Sequence, residues 1–150
     1  MAKLPKKGSP LVLRVAIAIP LYRHFDYIAP HDVAEDELTP GIRLEVPFGT
    51  GKKIAYLIET SQTSKIAPDK LKPIVRILDD KPLLSAQDIK LLLWASRYYH
   101  HPLGDVFSTA FPASLRSGKA ASLYTQEKHY GLTELGQATT TAQLKRSPKQ

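Results

Sequence analysis

Ile42-Arg43-Leu44-Glu45-Val46-Pro47-Phe48-Gly49-Thr50-Gly51-Lys52-Lys53-Ile54-Ala55-Tyr56-Leu57-Ile58-Glu59 decides the fold. Ile42, Leu44 and Val46 alternate with polar residues, the two-residue period of a strand with one buried face. Pro47 to Gly51 reads as a turn. From Lys53 to Glu59 the alternation resumes, with Ile54, Tyr56 and Ile58 on one side. Upstream, Leu11, Leu13, Val15, Ile17 and Ile19 alternate until Pro20, which cannot donate to a ladder. Phe25 to Ile28 is a short extended piece that ends before Pro30. His31 to Leu38 is an acidic loop, and Thr39-Pro40-Gly41 is a turn. Downstream, Ser61 to Pro68 is a polar loop and Lys72 to Leu78 a further strand. Short strands separated by turns predict a small barrel or sandwich.

The period then changes. Ser85 with Asp88 three residues on starts a helix in the manner of a capping box. Ile89, Leu92, Leu93, Ser96 and Tyr99 follow at helical spacing, with Leu91 and Trp94 widening the apolar stripe. The helix should run from about Ala86 to His100, before Pro102. A second short helix is expected over Gly104–Ala110, and Ser117-Gly118 marks a boundary. Residues 119–150 hold too few apolar residues to bury a core alone. The fold class is therefore mostly β with one main helix, an α+β arrangement. Residues 1–10 form a flexible basic lead-in, residues 11–117 the domain, and residues 118–150 the incomplete opening of a second.

The 150 residues carry a formal charge of +7, no cysteine and 43% hydrophobic residues. A core of useful size is possible, while disulfide scaffolds, cysteine zinc sites and thiol chemistry are excluded. Residues 11–115 hold twelve basic and twelve acidic side chains, so the excess charge lies at the two ends. A protein that grips a long duplex usually shows a basic face. A neutral middle suits a small, specific nucleic-acid contact better, although the basic ends also read as solubilising tails. The longest apolar run, Leu11 to Leu21, is interrupted by Arg14 and is too short for a bilayer span. The basic start and Ala16-Ile17-Ala18 imitate a signal peptide, but Arg14 and the strand alternation speak against one. A cytoplasmic protein with no membrane contact is expected.

Gly49-Thr50-Gly51-Lys52-Lys53 imitates a phosphate loop, but Val46 and Lys53 stand where the pattern needs glycine and a hydroxyl, and a strand follows. His100-His101 lacks a third metal ligand at useful spacing, so a helix-end role is the better reading. Phe25-Asp26-Tyr27 has two readings. Phe25 and Tyr27 can be core residues with Asp26 solvated. Alternatively, an aromatic stacks on a base while the carboxylate accepts from base N–H groups. Gly49 could admit a ligand close to the backbone, or be a plain turn glycine.

Phe25-Asp26-Tyr27, Pro40 to Gly49, Leu71-Lys72, Leu78 to Pro82, and Trp94 through Tyr98-Tyr99-His100 to Pro102-Leu103-Gly104-Asp105 occur in that order. Together they resemble the amino-terminal region of the primosomal protein N-prime family of bacterial replication-restart helicases. The likeness covers about residues 11–117, and the tail through Lys145-Arg146-Ser147-Pro148-Lys149-Gln150 resembles the start of that family's winged-helix domain. The resemblance implies an OB-like 3′ DNA-binding domain that holds the 3′ end of the nascent leading strand at a stalled fork, as the recognition module of an ATP-dependent 3′-to-5′ helicase. It implies that Phe25, Asp26 and Tyr27 line a terminal-nucleotide pocket, that Gly49 closes it through its backbone, and that Lys72 meets the sugar-phosphate.

The partners implied are forked DNA with a free 3′ end, single-stranded DNA, and other primosome and single-strand-binding proteins. Ala55 departs from the glycine the family leads one to expect. The family's helicase lobes, phosphate loop and zinc-binding cysteines are missing, so neither ATP nor zinc is expected to bind these residues and no catalysis is expected of them alone. Two rivals remain. One is a general single-strand DNA or RNA-binding barrel. The other is a protein-interaction module with Phe48, Tyr56 and Tyr98 in an exposed patch.

Overall fold

In the computed structural model, which describes residues 11–30, 33–121 and 130–139, the alternating runs become one antiparallel sheet. Its strands are β1 (Val12–Ile17), β2 (Phe25–Ile28), β3 (Arg43–Phe48), β4 (Gly51–Ser61) and β5 (Arg76–Ile77), in the order β2-β1-β4-β3-β5. The sheet curls on itself. Ile28 donates to the Lys72 carbonyl and accepts from the Ile74 amide at 3.0 and 3.2 Å, on the outer edge of β2. The same segment runs on into β5, which pairs with the outer edge of β3. The stretch 72–77 thus joins the two edges and closes a small barrel.

Leu13, Val15, Ile17, Tyr27, Leu44, Val46, Ala55 and Leu57 fill the inside. β4 lies in the middle of the sheet and is buried on both sides. Ala55 and Leu57 point inward, while Tyr56 and Ile58 point out against the helices. The expectation of one buried side, Ile54, Tyr56 and Ile58, therefore captured the outer face and missed the inner one. Ile58 has no partner on β1, because the register slips by one residue between Arg14 and Val15. The slip lets Val15 and Ile17 stay inward beside Leu57 and Ala55.

Strand ends differ from the sequence reading for identifiable reasons. Pro47 and Phe48 continue β3 instead of starting the turn, with Pro47 opposite Lys52. The loop is only Gly49-Thr50, with Gly49 at φ 59°. A two-residue hairpin loop needs left-handed backbone at its first position. The strand expected over Lys72–Leu78 shrinks to Arg76–Ile77, because Pro73 has no N–H and the segment crosses between edges.

α1 (Ala86–Tyr98) begins at the capping box of Ser85 and Asp88, as expected. It stops short of His100, which takes φ 49°. The His101 amide then bonds the Ser96 carbonyl at 3.0 Å, closing the helix end through the backbone. Ile89 is buried and Leu92 and Leu93 pack on the outer core. Leu91 and Trp94, expected to widen that stripe, are instead 59% and 51% exposed. α2 (Leu103–Thr109) packs Phe107 against Tyr56, and its Gly104 touches the end of β1. α3 (Ala113–Arg116) follows, unforeseen in the sequence. Beyond Gly118, the described residues carry α4 (Glu134–Ala138). The basic lead-in of residues 1–10, and residues 122–129 and 140–150 of the expected winged-helix opening, lie outside the described residues.

Candidate nucleic-acid interface

β2 has only β1 on one side, so its outer edge is available wherever another segment does not cover it. Among the described residues that segment is Lys72 to Ile74, which covers Ile28 alone. The Ile28 N–H and C=O point to that edge, and the two-residue period of a strand turns those of Asp26 the same way. Asp26 therefore presents backbone donor and acceptor to an uncovered edge, next to where Lys72 ends the covered part. The Lys72 side chain is exposed, and no acidic oxygen among the described residues lies within ion-pair distance of it.

The hairpin tip forms the other wall. The Phe25 ring meets Phe48 edge-on with centroids 5.6 Å apart, and Arg23 lies 4.9 Å above Phe25. The Tyr27 hydroxyl donates to the Pro47 carbonyl at 2.9 Å. Tyr27 is buried, and burial pushes its phenol above the ordinary value. Gly49 stands at the tip, exposed, with open space where a Cβ would be. Its glycine is required by the backbone angle and not by crowding. Phe25 to Tyr27, the Gly49 tip and Lys72 thus gather around one edge of the barrel.

They do not all offer side chains to the same face. Phe25 and Tyr27 point inward with the core, and Asp26 points to the opposite face. There Arg14, its cross-strand neighbour on β1, donates Nε to Asp26 Oδ1 at 3.3 Å and a second N–H to Glu59. The Ser64 hydroxyl donates to Asp26 Oδ2 at 2.6 Å. Only 7% of the Asp26 side chain is exposed. Burial disfavours the charged form of Arg14, but the bonds to Glu59 and Asp26 outweigh it and raise its pKa. Arg14, Glu59 and Ser64 escaped the sequence reading. Opposite charges on the outward faces of neighbouring strands were the signal for Arg14 and Asp26. Ser64 lies in a loop, where no period applies.

Ala55, the departure from the family pattern, is fully buried opposite Ile17 and Leu44, inside the barrel and away from this edge. The exposed patch of Phe48, Tyr56 and Tyr98 that the rival protein-interaction reading requires does not form. Tyr56 is 2% exposed and stacks on Phe111 at 4.9 Å. Tyr98 is exposed, but on α1 beside Trp94 and Tyr99. The described residues hold no cluster of metal-ligating side chains. No helix among them is long and apolar enough to cross a membrane.

Residues 14–112 match the family PriA_3primeBD, described as the 3′DNA-binding domain (3′BD). Replication restart protein PriA of Haemophilus influenzae is 41% identical over 93% of this chain and 19% of that protein. Replication restart protein PriA of Buchnera aphidicola from Acyrthosiphon pisum is 26% identical over 93% of this chain and 19% of its own length. The PriA of Chlamydia pneumoniae is 26% identical over 69% of this chain and 13% of its own. The chain spans less than a fifth of the length of these relatives. The match runs from Arg14, within β1, to Pro112 before α3, and so takes in most of the barrel, the β2 edge and both packed helices; this chain belongs to the PriA 3′ DNA-binding domain family and has DNA as its partner.

Proposed function

We propose that this domain binds the free 3′ end of a nascent leading strand at a stalled replication fork. It would serve there as the recognition module of a 3′-to-5′ DNA helicase in replication restart. The observation that supports this most is the meeting of Phe25-Asp26-Tyr27, Gly49 and Lys72 around one uncovered strand edge. A chain end can enter such an edge, where a continuous strand would have to pass along it. The edge backbone of Asp26 and the Gly49 tip supply hydrogen bonds that ignore base identity. The Asp26 carboxylate accepts from a base N–H, and Lys72 meets a phosphate. Only one or two phosphates are engaged, which agrees with the balanced charge of residues 11–115. In this reading residues 118–150 open a winged-helix domain, and ATP and zinc belong to parts of the longer protein outside this chain. Forked DNA and single-stranded DNA are its ligands, and primosome and single-strand-binding proteins its neighbours in the cytoplasm.

The test is fluorescence anisotropy on a forked DNA whose leading-strand end is either a free 3′-OH or a 3′-phosphate. Tighter binding of the free end, surviving added salt and abolished by Asp26→Ala, is expected. Equal binding of both ends that fades together with salt would sink the proposal in favour of a general single-strand-binding barrel.

A further inference from the structure

The Asp26 carboxylate is engaged before any ligand arrives. Arg14 holds Oδ1 from the sheet side, which leaves Oδ2 to receive a donor from outside. In the free protein that donor is the Ser64 hydroxyl, at 2.6 Å. Ser64 Oγ also accepts from the Ile66 amide at 3.0 Å, so the hydroxyl pins the turn of its own loop onto β2. Gln62, Thr63, Lys65, Ile66 and Ala67 around it are exposed, and the Ser64–Asp26 bond is the hydrogen bond by which residues 62–67 reach β2. With 7% of its side chain exposed, Asp26 is close to fully covered while the loop is down.

Resting on the reading of Asp26 as the acceptor of a terminal base, we propose that Ser64 is an internal stand-in for that base. The N–H edge of the 3′-terminal nucleotide takes the Oδ2 seat of Ser64, and the 62–67 loop lifts from β2. The exchange replaces one charge-assisted hydrogen bond by another, so its net cost is small, and the loop regains freedom. Every nucleobase offers at least one N–H, so the exchange is indifferent to base identity. Ser64 then sets the affinity for 3′ ends from outside the contact itself.

Ser64→Ala in the full chain, assayed on the 3′-OH and 3′-phosphate forks, separates the possibilities. Displacement predicts about three- to tenfold tighter binding of the 3′-OH fork, the worth of one unmade competing bond, with the 3′-phosphate fork unchanged. Unchanged or weaker binding of the 3′-OH fork overturns it. Asp26→Ala run alongside distinguishes the two failures. If that variant still prefers the free end, the base-acceptor reading falls and displacement with it. If the preference is lost but Ser64→Ala does not tighten binding, displacement alone falls. A second readout needs no variant: amide exchange of residues 62–67 should quicken when the 3′-OH fork binds, and protection there would overturn the idea.

Discussion

Arg43 shows what a buried charge does in this domain. Its guanidinium is fully buried, donates to both oxygens of Asp79 at 2.9 and 2.6 Å, and reaches the Leu115 and Lys119 carbonyls. The Asp79 carboxylate also accepts from the Arg43 amide at 2.8 Å. Removing one partner strands the other charge in a dry place, so Arg43→Ala should cost about 3–5 kcal/mol in urea unfolding. Replacing the pair together, Arg43→Met with Asp79→Leu, should cost less than the single change. The sequence could not show this. Alternation places Arg43 on the face away from Ile42, Leu44 and Val46, which is solvent in a lone hairpin and interior once α3 and the segment after it cover it. Asp26 was legible as turned away from Phe25 and Tyr27, since that follows from the strand period. Its grip by Arg14 and Ser64 was not, because the partners come from 12 and 38 positions away.

Element types were readable wherever a period persists, and the errors cluster at ends. β2 and the start of α1 came out at the expected residues because prolines and a capping box mark them. The end of α1 did not, since it depends on His100 adopting left-handed backbone, which costs a non-glycine residue about 1–2 kcal/mol. His100→Gly should therefore raise stability by roughly 0.5–1 kcal/mol after the entropy loss of glycine is allowed for, read as a rise in Tm. At α2 the sign reverses. A Cβ on Gly104 would lie 1.6 Å from the Ile17 carbonyl oxygen, so the helix can pack on β1 only with glycine there. Gly104→Ala should push α2 off the sheet, lower Tm by several degrees or more, and loosen the Tyr56–Phe107–Phe111 group.

For the molecule entire, charge and titration give separable expectations. If one exposed lysine meets the sugar-phosphate, Lys72→Ala should weaken binding of forked DNA and flatten the dependence of log K on log salt by about 1. It should leave the preference for a free 3′ end intact. Burial raises the phenols of Tyr27 and Tyr56 in the fold, so both stay neutral where the unfolded chain would ionise them. Their contribution to stability is complete below the ordinary value of 10.0 and is lost as pH climbs through the raised values. Denaturant midpoints should hold steady from neutral pH to about that point and decline above it.

The stretch 72–77 has a double position, seaming the barrel shut while its first residue flanks the open edge of β2. In the proposed reading, whenever thermal breathing unzips the Ile28 bridge, the cradle for the nucleotide comes apart in the same motion. Occupancy by a 3′ end must then quieten that seam, so the amides of Ile28 and Ile74 become a built-in reporter of whether the cradle is full.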